Sequence, residues 1–217
     1  MRSLEVEVYS DYTCPWCYVG WARLEKLRAE LAEEVTLEVR WRPFEIHPEV
    51  PAEGMPVEDL HYTPEVWAAM MESLRHNAAA EGLEVAQRPL VANTHEALAA
   101  GTWAQTEHPD AFPAVHAALF RAYFAEGRNI GDRAVLREVV EGAGLDGAEL
   151  DAALDSGRYD RAIADTFADA MRLGINGTPT FVFGGRYGTA GAQPVEVLRR
   201  GAERALAEEV SEATPEG

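Results

Sequence analysis

Apolar and polar residues alternate from the start of the chain. Leu4, Val6, Val8 and Ser10 share one side and Glu5, Glu7 and Tyr9 the other, the period-two pattern of a strand. The period then lengthens. Cys17, Gly20, Leu24, Leu27 and Leu31 recur at steps of three and four, which predicts a helix of about five turns opening at Cys14-Pro15-Trp16-Cys17 and ending near Leu31. Alternation returns where Val35, Leu37, Val39 and Trp41 oppose Thr36, Glu38 and Arg40. A strand–helix–strand order is most simply parallel and right-handed.

A connection punctuated by Pro43, Pro48, Pro51, Pro56 and Pro64 carries little periodicity, and from Thr63 to about Leu173 the pattern is helical throughout. Thr63–Pro64 reads as an N-cap followed by proline at the first helical position. Val66, Trp67, Met70, Met71 and Leu74 give that helix an apolar face, and Gly82 is placed to stop it. Asn93 with Glu96, and Asp146 with Glu149, have capping-box spacing. Phe112, Val115, Leu119, Phe120 and Tyr123 form a further stripe, and a last helix of this block runs from about Tyr159 to Leu173.

Strands resume at Pro179–Phe183, followed by the Gly184–Gly185 turn and a weaker strand over Arg186–Ala190. Pro194 starts a terminal helix through Val197, Leu198, Ala202 and Leu206, after which the acidic, small residues from Glu208 to Gly217 predict fraying. The order βαβ, helices, ββα fits one α/β layer, residues 1–55 and 174–217, with an all-α insertion over 56–173. Two independent domains would leave each half-sheet with an exposed flank.

The chain has 217 residues, 47% of them hydrophobic, enough for a substantial core. It carries 19 Lys and Arg against 37 Asp and Glu, a formal charge of −18. That balance repels phosphate backbones and anionic lipid, so nucleic-acid and membrane partners are not expected. No stretch has the apolar length of a membrane span, and the alternating start lacks the apolar run of a signal peptide. The sequence therefore reads as cytoplasmic. In a reducing compartment two cysteines seldom form a permanent bridge, which points to chemistry.

Cys14 lies at a helix mouth, where unpaired N–H groups and the helix dipole favour a thiolate. Cys17 heads the buried stripe, where desolvation opposes ionisation. The expected catalytic pair is thus Cys14 as attacker and Cys17 as resolving thiol. Pro15 suits the first helical position, and Trp16 either covers the dithiol and offers an apolar contact for substrate or simply packs. The loop between the cysteines is too short to staple the fold strongly. A zinc site would need four ligands, and there is no second Cys pair and no closely spaced His pair, so no metal is expected. Far along the chain, Gly177-Thr178-Pro179-Thr180-Phe181 puts a proline at the entry of a β-branched, aromatic strand, where a cis bond is available.

The pair C-P-W-C and G-T-P-T-F resembles the DsbA-like branch of the thioredoxin superfamily. S-D-Y-T-C-P-W-C-Y-V-G, W-R-P-F-E-I-H-P, A-L-F-R-A-Y-F-A-E-G and G-A-Q-P narrow the resemblance to the FrnE-like cytoplasmic group, over about Leu4 to Leu206. The resemblance implies an α/β thioredoxin fold with a helical insertion and a protein disulfide oxidoreductase or isomerase. It implies protein or small-molecule disulfides and thiols as partners, in a monomer or homodimer. It implies no cofactor beyond the redox dithiol, with glutathione or thioredoxin as electron partner. Pro179 would be cis and face the disulfide, and the Thr178 backbone would pair with an extended substrate.

Two departures stand out. The buried carboxylate that thioredoxin-like proteins often carry six residues before the first cysteine is replaced by Val8, and Asp11 reads as a turn residue, leaving the proton acceptor for Cys17 unassigned. The central Pro-Trp differs from the Gly-Pro of thioredoxin and the usual Pro-His of DsbA, so the potential stays open between about −270 and −120 mV. Two alternatives share the fold. One is a glutathione-dependent isomerase or transferase of the kappa or 2-hydroxychromene-2-carboxylate isomerase type, where a Ser usually replaces the first Cys. The other is a chaperone-like module with Trp67, Met70, Met71, Trp103, Phe120 and Tyr123 lining a cleft.

Overall fold

The computed structural model describes residues 2–88 and 90–213. The main sheet has the order β2-β1-β5-β6, built from β1 (Arg2–Ser10), β2 (Val35–Pro43), β5 (Thr180–Phe183) and β6 (Tyr187–Ala190). β1 pairs in parallel with β2, placing Val8 opposite Trp41, and antiparallel with β5, placing Val8 opposite Phe181. The two ends of the chain therefore share one sheet. This α/β architecture, with helices inserted between its halves, is the expected thioredoxin fold with a helical insertion.

Helix α1 (Pro15–Leu31) is the wall shared by two cores. Its Leu24, Leu27 and Leu31 pack with Leu4, Val6, Val8, Phe181 and Phe183 of the sheet. Cys17, Tyr18 and Val19 at its start pack instead with the helical block. Each fully buried leucine contributes about 1.5–3 kcal/mol, so the helix is held from both sides.

The inserted block contains α2 (Pro64–Ala80), α3 (His95–Glu107), α4 (Phe112–Phe124), α5 (Arg133–Gly142), α6 (Gly147–Asp155) and α7 (Asp160–Arg172). The stripe of Phe112, Val115, Leu119, Phe120 and Tyr123 is buried in its core. Two polar devices fix the block to the sheet domain. Buried Arg23 of α1 bonds Glu81 at 2.7 Å, Asn77 at 2.9 Å and the Ala192 carbonyl at 2.5 Å. The Gln105 amide accepts from Trp41 N at 2.8 Å and donates to Trp41 O at 3.0 Å, capping the open edge of β2 as a strand would.

The structure corrects several expectations. The block is not helical throughout: residues 81–94 leave helix, and β4 (Leu90–Val91) pairs with β3 (Met55–Pro56), ahead of a short 3-10 turn at Val57–Leu60. Neither two-residue strand is long enough to show a period. Asn93 does not cap α3 through a box; Thr94 is the N-cap, Asn93 accepts from His95 N, and Glu96 pairs with Arg133. Asp146 does cap α6, but Glu149 reaches His108 instead of closing the box. Tyr9, on the side of β1 that carries Glu5 and Glu7, is buried, because Phe44, Ala170 and Ile175 cover it. The terminal helix α8 (Val195–Ala213) continues beyond Leu206, so the tail is helical to Ala213; residues 214–217 lie outside the described residues.

Candidate active site

β1 ends at Ser10, and a three-residue turn delivers Cys14 to the N-cap of α1 with extended backbone (φ −73°, ψ 115°). Pro15 occupies the first helical position as expected. Its ring fixes the helical φ and its missing N–H removes one orphan donor. Cys14 O accepts from Cys17 N at 3.0 Å and Tyr18 N at 3.3 Å, closing the first turn over the dithiol. Both thiols are free; Cys14 retains 5% of its surface and Cys17 none. The first turn contains no acidic side chain to oppose a thiolate.

The two sulfurs differ electrostatically in the expected direction, for a partly different reason. Cys14 is held below the ordinary thiol range chiefly by a hydrogen bond from the Cys17 thiol, with help from the Thr178 side chain and the Cys17 N–H; burial and the Asp11 charge oppose this. The second thiol thus stands ahead of the Cys17 N–H that the helix end itself offers. Cys17 is pushed well up by burial and then by the hydrogen bond and charge of Cys14, with Ser10 and the Asp11 backbone acting the other way.

The G-T-P-T-F segment arrives from across the sheet. The Thr178–Pro179 bond is cis, and Cys14 Sγ lies 3.5 Å from Thr178 O. Thr180 Oγ1 donates to Gly177 O at 2.8 Å and steadies the loop. Pro179 itself is buried against α1: a Cβ on Gly20 would lie 3.0 Å from Pro179 Cγ and 3.1 Å from Phe181 Cζ. The sequence placed Gly20 in the buried stripe, and its smallness is what admits the proline loop.

Val8 is fully buried between Trp41 and Phe181, so no carboxylate lies at that position. Asp11, read as a turn residue, makes the expected local bonds to Thr13 N (2.9 Å) and Thr13 Oγ1 (3.1 Å). It also accepts from Ile46 N at 2.8 Å and Thr94 Oγ1 at 3.1 Å, and is wholly buried. This one carboxylate joins the dithiol turn to the segment after β2 and to the start of α3. Burial raises its pKa against the pull of those four donors. Beside it, Tyr12 Oη meets His116 Nδ1 at 2.8 Å, although neither residue stood out in the sequence.

A cavity of about 320 Å³ opens on Cys14. Thr13, Pro15, Trp16 and Thr178 line it beside the thiol, and Trp67, Met70, Met71 and Tyr123 face them from the helical block. Of the six aromatic and Met residues expected at a cleft, Trp103 and Phe120 are instead fully buried core. Arg88 also lines this cavity, within a stretch that the sequence pattern assigns to helix and that the structure leaves irregular. A larger cavity of about 580 Å³, lined by Trp41, Gln105, Phe112 and His116 among others, contains neither thiol. Among the described residues no group of three or more His, Cys, Asp or Glu could hold a metal ion, and no helix is long and apolar enough to cross a membrane.

Comparison with known proteins places this geometry. The DSBA-like thioredoxin domain family matches residues 5–201. YwbO of Bacillus subtilis (strain 168) is 30% identical over 186 residues, 84% of this chain and 88% of that protein. A probable DsbA oxidoreductase from Streptomyces coelicolor superposes with a TM-score of 0.85 at 33% identity, over 94% of this chain and 91% of that one. Cytosolic disulfide reductase DsbM from Pseudomonas aeruginosa, solved with GSH, shares the fold at 22% identity and a TM-score of 0.65, over 97% of this chain and all of the other. A 2-hydroxychromene-2-carboxylate isomerase shares it at 17% identity and a TM-score of 0.73, over 97% and 99% of the two chains.

Proposed function

The chain belongs to the DSBA-like thioredoxin domain family of oxidoreductases, and from that premise we propose that it exchanges thiols and disulfides through Cys14 and Cys17, as a FrnE-like protein disulfide oxidoreductase or isomerase of the cytoplasm. The observation that carries this reading is the asymmetry of the pair: a thiol of lowered pKa at the helix mouth, facing Thr178, with a fully buried thiol of raised pKa behind it.

The reaction follows from that asymmetry. In the reduced protein the Cys14 thiolate attacks one sulfur of a substrate disulfide; that disulfide breaks, its other half leaves as a thiolate, and a mixed disulfide joins Cys14 to the substrate. Cys17 then loses its proton and attacks Cys14 Sγ, releasing the substrate as a thiol and leaving Cys14–Cys17 oxidised. Two electrons have passed from the dithiol to the substrate, and the reverse sequence makes the protein an oxidant. Trp16 and Pro15 line the approach to Cys14, and the Thr178–Pro179 turn offers backbone to an extended substrate. No cofactor is needed beyond the dithiol, and glutathione or thioredoxin would return it to its starting state.

The test uses two substitutions. Cys17→Ala should accumulate covalent mixed disulfides with disulfide-containing substrates, each losing its other half as a thiolate, visible as added mass that a reductant removes. Cys14→Ser should abolish reduction of insulin disulfides, and survival of that activity would overturn the assignment. A glutathione-dependent isomerase of the same fold would instead keep its turnover after loss of Cys17.

A further inference from the structure

The cavity beside the dithiol holds a cation that the exchange reaction does not use. The Arg88 guanidinium lies over the rings of Phe124, 4.3 Å from its centroid, and Tyr123, at 5.0 Å. These rings face the cation but give its N–H donors no lone-pair acceptor. Nε is buried with no acceptor, and Nη2 reaches only Met71 Sδ at 3.8 Å, a weak acceptor.

The other shielded arginines of this chain have found carboxylates: Arg23 pairs with Glu81 at 2.7 Å and Arg42 with Asp169 at 2.9 Å. Arg88 has none among the described residues, in a chain with 37 acidic side chains against 19 basic ones. No Asp or Glu lines the cavity. Burial and neighbouring Arg75 both weigh against the Arg88 charge, and a bound anion would relieve both.

From this arrangement we infer that Arg88 anchors the carboxylate of a small thiol or disulfide whose sulfur meets Cys14 in the same cavity. The inference rests on the dithiol reading and narrows its substrates to low-molecular-weight thiols bearing a carboxylate. A volume of about 320 Å³ suits such a molecule, at the small end of ligand sites of roughly 300–1,000 Å³. Trp67, Met70 and Leu74 offer an apolar wall to its carbon chain. With the protein oxidised, the ligand thiolate attacks Cys14 Sγ. The Cys14–Cys17 bond breaks as the ligand–Cys14 bond forms, and the departing Cys17 thiolate takes a proton from water. One disulfide replaces another and no further oxidant enters.

The experiment measures how fast the oxidised full-length chain is reduced by glutathione and by glutathione diethyl ester, in the natural protein, Arg88→Met and Arg88→Lys. The net charge of −18 by itself favours the ester, so a preference for the acid reports a local cation. The natural protein should prefer glutathione, and Arg88→Met should slow that reaction roughly ten- to hundredfold while leaving the ester unchanged. Arg88→Lys should restore part of the preference. Equal slowing of both thiols by Arg88→Met would assign Arg88 to the framework and overturn the inference, as would no slowing at all. If Arg88→Met fails to fold, the natural protein decides, and an ester that reacts as fast as the acid defeats the proposal. Failure of the dithiol reading looks different: neither thiol would react at Cys14 in any of these proteins.

Discussion

Cys14 Sγ stands 3.5 Å from the backbone oxygen of Thr178, a contact between residues 164 positions apart. It exists because β1 and β5 lie side by side, so that the turn after one and the loop before the other end at the same edge of the sheet. The contact puts the sulfur proposed to attack against the backbone proposed to receive a substrate, while Cys17 is fully buried.

That difference in reach and charge is measurable by alkylation. In the reduced protein at pH 7, iodoacetamide should modify Cys14 at least about tenfold faster than Cys17. The Cys14 rate should rise with pH and level off below the value of about 8.5 expected for a free thiol, because the folded protein favours its thiolate. Peptide mapping after timed quenching gives both rates, and equal rates would refute the asymmetry.

Gly20 controls how closely α1 approaches the proline loop. An alanine methyl there would press on the rings of Pro179 and Phe181, neither of which is a flexible side-chain end. Gly20→Ala should therefore cost about 1–3 kcal/mol of stability, as small overpackings do. It should also reduce insulin turnover roughly tenfold by moving Thr178 away from Cys14. Urea unfolding and the insulin assay read the two effects, and an unchanged variant would show that this approach is slack.

Much of this site was legible because two local codes were strong. The change of period at Cys17 located the helix, and the Gly-Thr-Pro before a β-branched run located its companion. What escaped is tertiary. Asp11 showed its local role in the sequence, but its bonds to Ile46 and Thr94 depend on how the insertion docks. Arg88 lies between elements in a stretch read as helical, and its lack of an acidic partner is a property of the packed cavity. Tyr12 approaches His116 past Gly101, where a Cβ would lie 2.4 Å from the Tyr12 hydroxyl; that glycine inside a helix is a signal the sequence offered and pattern reading passed over.

Asp11 should influence the dithiol through both charge and geometry. Its negative charge opposes ionisation of Cys14, so Asp11→Asn should lower the Cys14 pKa further. The amide also turns one acceptor into a donor facing existing donors, at a cost of about 1–3 kcal/mol. Thiolate absorbance against pH and thermal unfolding separate the effects. A Cys14 titration that moved upward would show that Asp11 acts on the thiol through position rather than charge.

His116 sets how the fold responds to acid. It is buried, its Nδ1 hydrogen-bonds Tyr12 Oη at 2.8 Å, and burial pushes its pKa down to about 3, against about 6.5 in the unfolded chain. Between those values the unfolded chain binds a proton that the folded protein refuses. The stability contributed by neutral His116 is thus complete above pH 6.5 and lost as pH falls through this window, on the order of 3 kcal/mol by pH 4. Asp11, whose pKa is raised, works in the opposite sense but is present in both proteins compared. His116→Gln retains an acceptor for Tyr12 and does not titrate. Urea unfolding at pH 7, 5.5 and 4 should show the natural protein losing about 3 kcal/mol more than the variant. Parallel losses would mean that His116 takes up its proton within the fold, and that the Tyr12 contact beside the dithiol turn does not depend on a neutral imidazole.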